Sequence, residues 1–220
     1  MPSLSDVTPR PSKQGTKINP NQMASQIPHQ TRPANFSDAQ EISDLSTRVQ
    51  SALTASGSLQ ELGPISPSSI QTSIRNGHVF ILEFEQEEPG KLTLLGGGMI
   101  ISPFAPEVGH GSWAWEWGWG VDKKKKLPPP PGKKWYLHSL MLEPAYQGQG
   151  LGLYFLKEAL RQLEIEEGKG TVVLACWAGN EKLRHFYEKA GFGFLGVFPE
   201  RDYEVAVFAY KMSGTLEIHE

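Results

Sequence analysis

Apolar positions along the chain change their spacing several times, and each change marks an element. Behind Ser37-Asp38-Ala39-Gln40, which reads as a capping box, Ile42, Leu45 and Val49 fall on one helical stripe that stops near Ser56-Gly57. Ser66-Pro67 starts a second, short helix ending at Asn76-Gly77, with proline at the first helical position, where no donor is missed. From His78 the period shortens. Val79, Ile81 and Phe84 belong to a strand, Glu88-Pro89-Gly90 turns it, and Leu92 to Ile101 returns as the second arm of a hairpin. Trp135 to Leu142 predicts a buried strand that runs through a glycine-rich turn into a helix, with Phe155, Ala159, Leu160 and Leu163 on one face and Gly168 at its end. Thr171–Trp177 reads as a strand, Asn180–Ala190 as a helix, and Phe192–Phe198 with Tyr203–Met212 as a closing pair of strands. The order is β-α-α-β-β-(long insertion)-β-α-β-α-β-β, an α/β chain without an internal repeat.

Length and composition bound this picture. The 220 residues suit one domain with spare chain. Residues 1–29 hold few apolar side chains among Ser, Pro, Gln, Asn and Thr, too few to offset the entropy of ordering, so they predict a disordered tail. The folded domain is expected over 30–213, with an irregular insertion at 102–134 and a short tail at 214–220. A net charge of −3 argues against bulk electrostatic binding of nucleic acid. No run approaches the ~20 apolar residues that cross a bilayer, and no apolar leader opens the chain. With Cys176 as its one cysteine, the chain has no internal disulfide and no multi-cysteine metal site; Cys176 itself reads as a small core residue. His29, His78, His110, His185 and His219 show no metal-ligand spacing, so no metal is expected. These features together predict a reducing, cytoplasmic setting, with a nuclear address for Lys123–Lys126 as the alternative.

The segment Leu140-Met141-Leu142-Glu143-Pro144-Ala145-Tyr146-Gln147-Gly148-Gln149-Gly150-Leu151-Gly152 carries most of the chemistry. A strand that delivers three glycines to a helix N-terminus makes an anion site: the backbone N–H groups can be approached closely, and the helix start carries about +0.5 charge. A pyrophosphate is the natural guest. The spacing does not suit a dinucleotide fingerprint, which needs two residues between its last glycines, and no Gly-Lys-Ser/Thr follows for a triphosphate loop.

Gln147-x-x-Gly150-x-Gly152 after a Leu-x-Leu-x-Pro strand resembles the acetyl-coenzyme A loop of the GNAT N-acetyltransferases. Asn180 stands seven residues before Tyr187 in Asn-Glu-Lys-Leu-Arg-His-Phe-Tyr-Glu-Lys-Ala-Gly-Phe, similar to that family's second signature. Trp135-Tyr136-Leu137 resembles the puromycin N-acetyltransferase branch, and His138 stands where the arylalkylamine N-acetyltransferase branch has a catalytic histidine. Gln147 departs from the more frequent arginine, which predicts a weaker phosphate clamp that still donates hydrogen bonds.

The resemblance implies a mixed, splayed β-sheet flanked by helices, and acetyl transfer from acetyl-CoA to a primary amine by direct attack. It implies that Gln147, Gly148, Gln149, Gly150, Leu151 and Gly152 hold the pyrophosphate. Leu140, Met141 and Leu142 would pair with the pantetheine arm, a backbone N–H near Leu142 would polarise the thioester, and Asn180 would bond the arm. Tyr187 is the expected general acid, a phenol that stays protonated at neutral pH. His138 is the expected base, on the same side of an alternating strand as Tyr136 and Leu140, with Glu116 and Glu143 as weaker alternatives. Trp113, Trp115, Trp117 and Trp119 would face one way on a strand, and three readings stay open: a lid over the acceptor cleft, a satellite core, or a dimer surface. The lid reading makes Trp115, Trp117 and Tyr136 substrate residues. The acceptor is expected to be a small-molecule amine, with a protein N-terminus or lysine, or a non-catalytic acyl-CoA binding module, as the alternatives. The chain is expected to be a monomer or homodimer.

Overall fold

A computed structural model describes residues 29–84, 94–104, 132–200 and 202–214. The Glu88-Pro89-Gly90 turn, the Trp113–Trp119 stretch with Glu116, the Lys123–Lys126 run and both tails up to 28 and from 215 lie outside the described residues. Among the described residues, seven strands form one sheet in the order β1-β2-β3-β4-β5-β7-β6. They are β1 (His29–Pro33), β2 (His78–Phe84), β3 (Leu94–Pro103), β4 (Lys133–Leu142), β5 (Gly170–Trp177), β6 (Gly193–Glu200) and β7 (Tyr203–Met212). Helices α1 (Ala39–Ala55), α2 (Pro67–Asn76), α3 (Leu151–Glu167) and α4 (Glu181–Lys189) connect them. Every element anticipated from periodicity is present in that order.

The start of α1 differs in detail. Ser37 does not cap it; Asn35 accepts the Ser37 N–H, and the Asp38 carboxylate takes the Asn35 N–H at 2.7 Å, a reciprocal box around a short 3₁₀ turn at Phe36–Asp38. Asn35 is followed three residues later by an acid, the pairing such a box needs, so the true cap lies two residues upstream of the serine.

The sheet buries both faces. On one, Ile42, Leu45 and Val49 of α1 and Ile70 of α2 cover Val79, Ile81, Ile100 and Met141. On the other, Leu151, Phe155, Leu160 and Leu163 of α3, with Tyr187 of α4, cover a larger core that includes Leu82, Met99, Leu137, Val172 and Phe208. Seven antiparallel or parallel strands sandwiched this way require near-continuous apolar strands, which is what β2 and β5 are.

One pairing sets up the site. β4 and β5 are parallel, but their register runs only from Lys133↔Gly170 to Tyr136↔Val173. Beyond it, β4 stays with β3 up to Gly97↔Leu142, and β5 stays with β7 up to Trp177↔Val205. The two strands therefore part and leave a wedge with two unpaired edges. A β-bulge lies next to the fork: Ile100 pairs with Ser139 and Ile101 with Leu137, so β4 carries His138 as an extra residue. Bulges bend a strand and add twist, which drives β4 away from β5.

Candidate functional site

The bulge also reverses the side-chain alternation of β4. Trp135 and Leu137 belong to the α3/α4 core, and Leu140 and Leu142 pack on that same core, while Met141 is buried under α1. Tyr136 faces the other way, against Val173, Val205 and Val207. His138 stacks on Tyr136 at 5.9 Å, so it shares a face with Tyr136 but not with Leu140. This corrects the simple alternation, which put all three together. His138 Nε2 lies 3.0 Å from Ser102 Oγ, and its Nδ1 lies 3.4 Å from Ser139 Oγ.

Edge direction follows from the ladder. Glu143 N–H donates to the Gly96 carbonyl on β3, so by alternation the N–H groups of Leu142 and Leu140 point away from β3, into the wedge. On the opposite edge, Ala178 N–H donates to Glu204 on β7, which turns Trp177 N–H into the wedge. There Gln60 Oε1 accepts it at 2.8 Å. Gln60 belongs to the α1–α2 connection, which is itself anchored: Gln50 Oε1 accepts from Leu62 and Gly63, and Ser46 Oγ accepts from Ile65. Sequence reading missed Gln60, because nothing local distinguishes a loop glutamine that meets a strand 117 residues away.

Past Leu142 the chain makes a 3₁₀ turn at Pro144–Tyr146 and enters α3. Gly148 and Gly150 adopt φ of 77° and 84°, left-handed values that side chains resist, while a Cβ at either would meet open space. Conformation rather than crowding therefore demands glycine. Gly150 caps α3 without a side-chain acceptor. Among the described residues, the N–H groups of Gly148, Gln149, Gly150, Leu151 and Gly152 find no acceptor in the protein. Five amides without a protein acceptor at the positive end of a 17-residue helix suit a multiply charged anion.

The two glutamines hold the turn's shape. Gln147 Nε2 donates to the Leu142 carbonyl and Gln149 Nε2 to the Ala145 carbonyl, each at 3.0 Å. The Gln147 amide, expected to clamp pyrophosphate, thus has one of its two N–H donors engaged within the loop. Glu143 is held by Arg48 at 2.9 Å, which leaves it poorly placed as a base.

Across the wedge, Asn180 caps α4: its Oδ1 accepts the Leu183 N–H at 3.0 Å. Two turns on, Tyr187 is 6% exposed among Phe186, Phe192 and Phe208. Burial pushes its phenol far above the ordinary range, with smaller contributions from Cys176 and Tyr136. Its hydroxyl makes no hydrogen bond among the described residues. Burial likewise raises Tyr136, helped by Glu200 and Tyr203, and pushes the Cys176 thiol up to about 12. Beyond the end of β5, Trp177, Gly179, Arg184, Tyr203 and Glu204 line an open cavity of about 500 Å³.

Histidine spacing predicts no metal set, yet the fold gathers His78, Glu166 and Glu167. Lys133 Nζ lies 2.7 Å from Glu167 and already supplies a cation there. Trp115 and Trp117 lie outside the described residues.

A forked parallel pair beside a bare-amide helix start defines an α/β protein with a slot between two strands and a run of amides without protein acceptors beside it. Residues 63–192 match the model of the acetyltransferase (GNAT) family, so the chain belongs to that family and is an acyltransferase. It is 30% identical over 167 residues to the uncharacterized N-acetyltransferase YesJ of Bacillus subtilis (strain 168), covering 74% of this chain and 81% of that protein. Among solved structures it is similar to a GNAT-family acetyltransferase from Listeria monocytogenes 4b F2365, with a TM-score of 0.59 and 26% identity over 83% of this chain and 94% of that one. It also shares its fold with yncA of Salmonella typhimurium, solved with its cofactor acetyl-CoA, at a TM-score of 0.52 and 14% identity over 84% and 95% of the two chains. No helix among the described residues is long and apolar enough to cross a membrane.

Proposed function

We propose that a single domain of about residues 30–213 transfers acetyl from acetyl-CoA to a primary amine of a small molecule, by direct attack in a ternary complex in the cytoplasm. The observation that carries this reading is the run of five unsatisfied amides at Gly148–Gly152 next to a strand edge that turns the Leu140 and Leu142 N–H groups into the wedge. The amides and helix dipole receive the diphosphate. The β4 edge aligns the amide-bearing arm as an added strand.

When bound, acetyl-CoA supplies an activated thioester carbonyl. The Leu142 N–H donates to the oxygen of that carbonyl, where negative charge grows as the amine attacks, a contribution of about 3–4 kcal/mol in enzymes where it has been measured. The Asn180 amide, its oxygen engaged as a helix cap, keeps its Nδ2 for the arm. Tyr187 gives its proton to the departing sulfur, and His138 takes the proton that the attacking amine sheds. A small acceptor is favoured over a protein N-terminus because Gln60 pins the α1–α2 connection to the β5 edge of the wedge.

The test is thiol release from acetyl-CoA against aryl, aliphatic, polyamine, aminoglycoside and peptide amines. Release with small amines supports the reading; release with peptides alone, or with none, overturns it. A second measurement isolates the anion seat. In Gly152→Ala the added methyl would stand 3.6 Å from Phe186 and 3.8 Å from Leu142, ordinary contacts, so folding is undisturbed. Alanine is also about 1 kcal/mol better than glycine inside a helix. The melting temperature should hold or rise while calorimetric affinity for CoA falls at least about tenfold, since the methyl is added at one of the amides that receive the diphosphate. Unchanged affinity would put the diphosphate elsewhere.

A further inference from the structure

Glu200 ends β6 on the sheet face opposite α3 and α4. It pairs with Tyr203 across the β6–β7 hairpin, two residues after Phe198 pairs with Val205, so Glu200 shares its face with Phe198, Tyr203 and Val205. Tyr136 packs on the same cluster, edge-on to Phe104. The surroundings are aromatic and aliphatic. Yet Glu200 is 8% exposed, and its Oε2 is buried without a hydrogen-bond partner among the described residues. A carboxylate removed from water without a partner costs several kcal/mol, a cost that a bound cation would offset. Aromatic faces around a carboxylate are the environment in which an organic ammonium is held by charge and by the ring quadrupoles together.

We infer that Glu200, with Tyr136, Tyr203 and Phe198, is the seat for a second, non-reacting ammonium group of the acceptor, which makes the acceptor a diamine or polyamine. This rests on the acetyl-transfer reading above. The reacting nitrogen must be neutral when it attacks, whereas a nitrogen paired with a buried carboxylate stays protonated. Placement agrees: β6 lies two strands beyond β5, about 10 Å from the wedge at ordinary strand spacing. Tyr136 pairs with Val173 where the fork opens and packs in the same cluster as Phe198 and Tyr203, and Glu200 is near enough to help raise its phenol.

The experiment compares hexamethylenediamine with hexylamine, equal in chain length but lacking the second nitrogen, in the wild type and in Glu200→Gln. The wild type should favour the diamine by at least about tenfold in kcat/KM. Glu200→Gln should raise the diamine KM and bring the ratio near one, leaving hexylamine kinetics and the acetyl-CoA KM unchanged. Its melting temperature should not fall, because the buried Oε2 makes no hydrogen bond among the described residues that the substitution could break. A wild-type ratio near one, a preference for hexylamine, or a diamine preference that survives in Glu200→Gln overturns this inference and leaves acetyl transfer standing. A wild type that releases no thiol with either of these or any other amine overturns the transferase reading itself.

Discussion

Tyr187→Phe is expected to lower turnover by about 10²–10⁴-fold while leaving CoA affinity unchanged. The substitution removes one oxygen and keeps the ring that packs on Phe192 and Phe208, so the core is preserved. What is lost is the proton donor for the departing sulfur. Because burial raises the phenol well above its ordinary value, the donor form persists through neutral and mildly alkaline pH, and the wild-type rate should show no loss from this group there. Steady-state kinetics against acetyl-CoA, paired with calorimetry of CoA, checks both halves. A Phe variant with full turnover would remove Tyr187 from the chemistry.

The second large effect concerns stability. Arg32 of β1 donates to Asp38 at 2.9 and 3.1 Å and also to Glu83 Oε1. Glu83 is 7% exposed and takes a further bond from Gln30 at 3.0 Å. Hydrogen bonding to Arg32 holds the Glu83 carboxyl below its ordinary value, against burial. Burial pulls Asp38 upward, but Arg32 and the Asn35 N–H outweigh it and hold it low as well. Arg32→Ala leaves Glu83 buried without its cation, which should cost about 3 kcal/mol, at the lower end for a buried pair because the guanidinium is partly exposed. For a domain of this size that is ~6–12 °C in Tm. The pH dependence has a definite sign. Both carboxyls are lowered on folding, so their contribution is complete above the unfolded values near 3.8 and 4.5 and is lost as pH falls through the folded ones. The Ala variant should therefore show a shallower loss of stability below about pH 4.5 than the wild type. Melts followed by circular dichroism from acid to neutral pH compare the two slopes; parallel curves would refute the network's role.

How far each conclusion reaches back to local signals differs by residue. The stripe of Ile42, Leu45 and Val49, the Ser66-Pro67 start and the Asn180 cap are near-neighbour effects, and the elements they announce are all present. The glycine turn was equally legible, since Gly148 and Gly150 are required by their own backbone angles and by no distant neighbour. By contrast, His138 was misplaced relative to Leu140 because a bulge is a property of two strands in register, invisible along one of them. Asn35-x-x-Asp38 and Ser37-x-x-Gln40 fit the same local rule, and only the chain's path decides between them.

The amino-acid order alone determined the succession of helices and strands, the amide-lined turn, and the Asn180–Tyr187 spacing that puts both residues on one side of α4. Those are outcomes of short-range sterics and of the helical repeat. The tertiary structure decided the fork between β4 and β5, the arrival of Gln60 at Trp177, and the burial of Glu200 beside Tyr136 and Tyr203. Each depends on which strands pair and how far they stay paired, a balance of ladder hydrogen bonds, twist and two-sided core packing that is settled only when the whole sheet assembles.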